Sequence, residues 1–451
     1  MSLLAELGAV EIAASVISGK ASCRQIVELC LDRVAKLEPH LNAFVSIDGN
    51  HARRRADELD GKLRAGHRLP LHGVPVGVKD IIDVAGMPTT CHSRIMPTDV
   101  ALVNATAVDR LVRAGAVVIG KNSLHEFATG GPSFDLPWPP ARNPWLRTHH
   151  PGGSSSGSAA AVAAGMVPVA LGTDTAGSVR HPATACGVVG FKPSYDAVSR
   201  QGVFPLAFSL DHVGPLARSV ADCAKVYEVL SGADPVSIDG ATLAGLRIGV
   251  FEEFSSGAEG EIASAFGETL RLLQNAGCSL HTLSVPPLEA YSGCGRLVLQ
   301  AEASAVHMDW LQEYGNGYGR RGFSRLSAGR TLSAAQYIRA QQLRRKLAEA
   351  MDQALASVDV AICASSLSLP CAIDDEAQLE RTYDRQARTP FNLTGSPAIA
   401  LPVGIAKSGL PIGVQLVARY GDDAKLLRTA HAAERVLGWQ QKRPDFSDLL
   451  S

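Results

Sequence analysis

Two glycine- and serine-rich stretches and one lysine carry the clearest chemistry in this chain. The first stretch is Pro151-Gly-Gly-Ser-Ser-Ser-Gly-Ser158, which runs into the small residues Ala159–Ala164. The second is Gly172-Thr-Asp-Thr-Ala-Gly-Ser-Val-Arg-His-Pro182. The lysine is Lys79, near the end of Leu71-His-Gly-Val-Pro-Val-Gly-Val-Lys-Asp80. Glycine lets a backbone approach a ligand closely, and serine adds a hydroxyl without bulk. A helix that begins in such a run also offers unpaired N–H groups to an anion or oxyanion. A serine hydroxyl is a poor nucleophile at neutral pH unless a neighbouring base takes its proton. Lysine is such a base only when neutral, so its ordinary pKa near ~10.4 must be lowered by burial. Lys79 follows the apolar Val76-Gly-Val78, a setting suited to that desolvation.

Three mechanisms compete for these residues. Phosphate binding by a P-loop requires G-x-x-x-x-G-K-[ST], and no lysine follows Gly157 or Gly177. A nucleophile elbow, G-x-S-x-G, is matched by Gly153-Ser-Ser-Ser-Gly157 and would make the chain an α/β-hydrolase esterase acting through Ser155. Such an enzyme needs an acid and a histidine downstream. Asp211 and His212 are adjacent in sequence, and His307 and His431 lack supporting context.

The third mechanism comes with a resemblance that spans most of the chain. Gly152-Gly-Ser-Ser-Ser-Gly-Ser-Ala-Ala-Ala161 and Leu171-Gly-Thr-Asp-Thr-Ala-Gly-Ser178, with Arg180 and Pro182, closely resemble the defining block of the amidase signature family. Cys186–Pro193, Ser209–Ser219, Leu71–Asp80, Asn392–Pro402 and Gly409–Leu416 are similar to its further segments, and the match is weakest at about 243–369. The resemblance implies a Ser178 nucleophile, Ser154 as proton relay beside a cis peptide bond, and Lys79 as base. It also implies an oxyanion hole of backbone N–H groups from Thr175, Ala176, Gly177 and Ser178, where each donor is worth roughly 3–4 kcal/mol. Many members have glycine where this chain has Ala176; alanine keeps the N–H if its backbone angle is tolerable.

The family cleaves small aliphatic and aromatic amides, fatty amides and ureido compounds, and supplies ammonia from glutamine within tRNA-dependent amidotransferases. A stand-alone amidase is the preferred expectation, with a small-molecule amide as partner and room for a homodimer. The alternative is a glutaminase subunit that works with amidotransferase partner subunits. Tyr337, Arg344 and Tyr383-Asp-Arg-Gln-Ala-Arg388 are candidates for binding a carboxylate. Gly130, Gly131 and His181 are candidates for the substrate pocket, His181 because a helix would bring it onto the face of Ser178. Asp174 and Arg180 read as a pair that braces the loop. No metal or organic cofactor is implied.

The elements that must position these groups alternate. Ser22 and Gln25 form a capping box ahead of a helical pattern, Asn42–Ile47 reads as a strand, and His51–Ala65 as a helix. The strand ending at Lys79, a helix over Ala105–Ala114 and strands at Val117–Ile119 and Val167–Leu171 follow. Further strands are expected at Leu246–Phe251, Ser279–Val285 and Val358–Ile362, and helices at Ile262–Ala276, Ala334–Leu355 and Ala424–Leu437. Phe127–Trp145, with its prolines, reads as a loop, either a cover near a site or an inert surface segment. The fold class is therefore α/β, and the resemblance makes it an α/β/α sandwich around a large mixed, mostly parallel sheet. Residues 1–451 read as a single domain, with no repeat or clear linker.

Composition agrees with a globular enzyme. The 451 residues are 46% hydrophobic with a formal charge of −1, which gives no footprint for direct nucleic-acid or membrane binding. Nine cysteines without zinc-site spacing read as packing residues in a reducing compartment. No signal peptide is recognisable, and a cytoplasmic location is expected.

Overall fold

The computed structural model describes residues 7–382, 386–439 and 442–450. Eleven strands form one sheet: β1 (Phe44–Ile47), β2 (Pro75–Lys79), β3 (Val117–Asn122), β4 (Val169–Asp174), β5 (Val189–Lys192), β6 (His212–Ala217), β7 (Arg247–Val250), β8 (Ser279–Thr282), β9 (Val360–Ala364), β10 (Ala398–Ile405) and β11 (Pro411–Val417). Their order is β1-β3-β2-β4-β6-β5-β10-β11-β9-β7-β8. Neighbouring residues of a strand face opposite sides of its sheet. Every residue of β2, β3, β4, β6, β9 and β11 is nonetheless buried, so both faces are covered there. The apolar runs of these strands, with little alternation, are what burial on both sides demands.

The sheet is mixed, as expected, but parallel pairs do not predominate. Parallel ladders join β3, β2 and β4 on one side and β9, β7 and β8 on the other. The ladders between these blocks, and β1 on β3, are antiparallel. The cause is local. β10 and β11 are joined by a tight turn in which Ala406 N–H donates to Leu410 O at 2.8 Å, and so short a link serves only antiparallel strands. Helices also follow β4 and β6 at the antiparallel centre, so strand–helix alternation does not by itself mark parallel pairing.

Most expected elements appear within a few residues of their expected limits. Ser22 and Gln25 do form a capping box for helix Cys23–Leu41. The consequential difference is β4, which does not stop at Leu171. It continues through Gly172 to Asp174, because a glycine at 172 leaves room for the Ser155 hydroxyl, which a Cβ would meet at 2.8 Å. Thr173 and Asp174 are thereby held on a strand end next to β2.

The small-residue helix Ser156–Ala163 is buried throughout and packs against β2, β3, β4 and β6. Its alanines and glycine let it lie close to backbone. A Cβ on Gly157 would collide with Ala43 O and with the Ser123 backbone. All nine cysteines are buried and unbonded. Among the described residues, no helix is long and apolar enough to cross a membrane.

Gly157→Ala tests how closely this helix must pack. The added methyl meets backbone and cannot be relieved by a rotamer change, so a loss of about 1–3 kcal/mol is expected. Chemical denaturation of the two proteins measures it, and an unchanged midpoint would refute the close-packing account.

Candidate active site

Lys79 ends β2 with its side chain fully buried. Its Nζ lies 2.8 Å from Ser154 Oγ and 2.7 Å from Thr173 Oγ1. β2 and β4 run parallel, with Val78 opposite Leu171, so Thr173 stands just beyond the level of Lys79. Ser154 belongs to the segment that enters helix Ser156–Ala163, and the Gly153–Ser154 peptide bond is cis. Burial pushes the Lys79 ammonium down to about 7, although the charges of Asp174 and Asp211 pull the other way. A substantial neutral fraction near pH 7 follows.

Ser178 lies in the turn between β4 and helix Arg180–Cys186, and with Ser154 it lines one cavity. The same cavity is bordered by Thr175, Ala176, Gly130 and Gly131. The start of the proline-rich loop therefore borders the cavity. Gly130 and Gly131 both have positive φ, 85° and 93°, and a Cβ at Gly130 would press on the backbone of Arg321 and Gly322.

Asp174 shapes the turn. Its fully buried carboxylate accepts from Gly177 N at 2.7 Å and Val179 N at 3.1 Å, and from Arg180 Nε at 3.1 Å and Nη2 at 3.0 Å. Asn392 Nδ2 adds a further bond at 2.8 Å. Burial alone would raise its pKa. The charge and hydrogen bonds of Arg180, with Lys192 and Asn392, outweigh it and hold the carboxyl well below its ordinary range. The brace expected of Asp174 and Arg180 is present in this geometry. Asp211 anchors the other side of the turn by accepting from Thr175 Oγ1 at 2.6 Å, and burial raises its pKa to about 6.

This turn alters the expected oxyanion hole. The Gly177 N–H points at Asp174, not at the cavity. The N–H groups of Thr175, Ala176 and Ser178 donate to no acceptor among the described residues. Three of the four expected donors therefore remain available. Ala176 is not among the residues with positive φ, whereas Gly177 is, at 119°, so alanine is unstrained and glycine sits where it is needed.

Other expectations fall away. His181 does not line this cavity. It is buried behind it, where Nδ1 accepts from Gly153 N at 3.4 Å. Ser178 precedes its helix instead of belonging to it, so helical spacing does not relate the two residues. Arg344 donates Nε to Leu393 O at 2.7 Å and Nη2 to Ser209 O at 2.8 Å. The Tyr337 hydroxyl donates to Glu302 at 2.8 Å. Neither residue borders the cavity. Tyr383, Asp384 and Arg385 lie outside the described residues, Gln386 borders the cavity, and Arg388 packs behind Gly177. Ser155 Oγ is tied to the Thr173 backbone, at 3.1 Å to its O and 3.2 Å to its N. His212, His307 and His431 lie away from the cavity.

The family profile named Amidase matches residues 25–427. The chain belongs to the amidase signature family. It is therefore an amidase-signature hydrolase, and the esterase reading through Ser155 is set aside. Among known relatives, a glutamyl-tRNA(Gln) amidotransferase subunit of Roseiflexus sp. (strain RS-1) is 37% identical over 99% of each chain. A crystal structure of an amidase superposes with a TM-score of 0.88 at 34% identity, covering 95% of this chain and 99% of that one. The peptide amidase of Stenotrophomonas maltophilia gives 0.86 at 29% identity, covering 98% of each.

Two residues of the site are not evident from sequence. Thr173 lies beyond Gly172, a glycine that reads in sequence as the end of a strand. His125, three positions beyond β3, lines the cavity beside Ser154. A histidine just past a strand that follows the lysine-bearing one is the signal that could have found it.

Asp174→Asn removes the charge that answers a buried guanidinium. A stability loss of about 3–5 kcal/mol is expected, since Arg180 is left uncompensated. Arg180→Met in the same background should recover part of it. If Asp174→Asn melts with the parent protein, the brace contributes nothing.

Proposed function

We propose that this enzyme hydrolyses a small carboxylic amide through a Ser178 acyl-enzyme, working as a stand-alone amidase. One observation carries the reading: the buried, easily neutralised Lys79 in contact with Ser154, at a cavity that Ser154 shares with Ser178. Neutral Lys79 takes the Ser154 proton, Ser154 takes the Ser178 proton, and Ser178 Oγ bonds to the amide carbon. The carbonyl oxygen becomes an oxyanion held by N–H groups of Thr175, Ala176 and Ser178. The C–N bond then breaks as the proton returns from Lys79 through Ser154 to the departing nitrogen. Water attacks the ester by the same relay, which releases the carboxylate and frees Ser178.

A second reading has support of its own. Relatives of similar length are named as amidotransferase subunits, at 37% identity for the Roseiflexus protein. In that reading glutamine is the amide and partner subunits receive the ammonia. Against it, Tyr337 and Arg344 are held by Glu302, Leu393 and Ser209 and are not free to meet a glutamine carboxylate. The purified chain should release ammonia from members of a small-amide panel. Activity confined to glutamine, and only with partner subunits added, would replace the first reading by the second.

The relay makes separable predictions. A fluorophosphonate probe should label Ser178, and Ser178→Ala should abolish turnover in a folded protein. Ser154→Ala should slow acylation by roughly 10²-fold or more. Lys79→Arg should be as damaging as Lys79→Ala, because a guanidinium does not deprotonate in proteins. An active arginine variant would mean that Lys79 only holds charge.

The pH dependence follows from the direction of the Lys79 shift. Burial favours the neutral amine, so the working form accumulates as pH rises through about 7. Below that, kcat/KM should fall about tenfold per unit. A profile flat from pH 5 to 8 would exclude Lys79 as the base.

A further inference from the structure

His125 is a buried polar ring that faces the cavity without a partner. It is 5% exposed and borders the cavity with Ser154 and Ser178. Its backbone is engaged, with N–H donating to Ser154 O at 3.1 Å and O accepting from Ala128 N at 2.8 Å. Neither ring nitrogen has a hydrogen-bond partner among the described residues. The histidines nearby are each tied at one nitrogen: His150 Nδ1 accepts from Gly152 N at 3.0 Å, its Nε2 being unpaired, and His181 Nδ1 accepts from Gly153 N. Neither nitrogen of His125 is among the fully buried side-chain atoms that lack a partner, so both stay open at the cavity that the residue lines. An imidazole held with both nitrogens unanswered at a cavity wall is arranged for a ligand.

The fold keeps this ring in place. The His125 ring lies against Gly153, whose missing side chain is what makes room for it, since a Cβ there would overlap the imidazole. Phe127 and Ala128, immediately after it, have φ of 46° and 62°, an unfavourable conformation for residues with side chains. Packing offsets that strain: the Phe127 ring centroid is 4.5 Å from His307 and 5.6 Å from Tyr318. The turn that carries His125 is thus locked from the side away from the cavity.

The ring is neutral. Burial pushes its pKa well below the ordinary histidine range, and the neighbouring Lys79 and His150 push in the same direction. A neutral imidazole has one N–H donor and one bare nitrogen that accepts. It does not compete with Lys79 for the catalytic proton.

In the relay proposed above, on which this inference rests, the departing nitrogen must turn its lone pair toward Ser154 to receive a proton. Its carbonyl oxygen is directed to the 175–178 segment. The nitrogen's remaining N–H then points away from Ser154, and His125 adjoins Ser154 through Gly153. We propose that the bare nitrogen of His125 accepts a hydrogen bond from the N–H of the departing amide nitrogen, aims its lone pair at Ser154, and so favours amides over esters of the same acid. An ester oxygen has no hydrogen to donate and gains nothing from this contact.

The test compares one acyl group presented as its primary amide and as its methyl ester. His125→Phe keeps a ring but cannot accept. It should lower kcat/KM for the amide by about tenfold or more, the loss of one hydrogen bond at a reacting atom, and leave the ester within about twofold. His125→Gln restores an acceptor and should recover part of the amide rate only. If phenylalanine does not fold, His125→Leu makes the same comparison with less bulk. Equal losses on amide and ester, or an unchanged ratio, overturn the proposal. Fluorophosphonate labelling of Ser178 keeps the two readings apart. A parent protein that does not label refutes the acyl-enzyme itself, whereas full labelling of parent and variants with a constant amide-to-ester ratio refutes only the role of His125.

Discussion

The Asp174 carboxylate is fully buried and accepts from two N–H groups of its own turn, from Arg180 and from Asn392. That arrangement does three things at once. It turns the Gly177 N–H away from the cavity and leaves those of Thr175, Ala176 and Ser178 uncommitted. It ties the turn to residue 392, far along the chain, so that β4 and the C-terminal segment are aligned. It also places a carboxylate close enough to act on Lys79. Asp174 is a negative charge that raises the Lys79 pKa, against the burial that lowers it. Burial is the larger effect and prevails at Lys79.

Burial of a second ion pair supports the same end of the sheet. Lys121 Nζ lies 2.7 Å from Asp80 Oδ1, both fully buried, and Lys121 also reaches Pro88 O at 3.0 Å. Asp80 directly follows Lys79, and Lys121 stands on β3 beside β2. One lysine of this neighbourhood is therefore paired with a carboxylate, and the other, one residue from that carboxylate, is given only hydroxyls. Partner choice separates a paired lysine from the one proposed as base in the same dry region.

Legibility from the sequence divides along the range of the contacts. Lys79, Ser154 and Ser178 are readable because each sits in a local run whose composition already suits its chemistry, and the runs match a family pattern. The small-residue helix and the capping box at Ser22 are readable for the same reason. What could not be read depends on residues distant in the chain. Gly172 looks like a strand end until Ser155 is known to occupy the space of its missing side chain. The Gly177 N–H looks like a fourth oxyanion donor until Asp174 is seen to accept it. His181 looks like a pocket residue only if one helix holds it together with Ser178, and the helix starts at Arg180. The antiparallel centre of the sheet is hidden because strand–helix alternation does not say in which direction distant strands pair.

The two walls of the cavity are built by different rules, and this separates chemistry from selectivity. On and behind the wall that carries Ser154 and Ser178, Gly153, Gly157, Gly172 and Gly177 all lie where a Cβ would strike a neighbour. Substitution there displaces the backbone that aims the reacting groups. Across the cavity, Ser292, Arg296, Leu299 and Gln300 project from one face of helix Leu288–Val306, at helical spacing. That helix buries its other face through Leu288, Tyr291, Cys294 and Val298. Its cavity face can be exchanged without touching the strands that carry Lys79 and Asp174. Arg296, which has no acidic partner among the described residues, is the one cation on that face. In the mechanism proposed for it, a chain assembled in this way can change the amide it accepts while the Lys79–Ser154–Ser178 relay stays fixed.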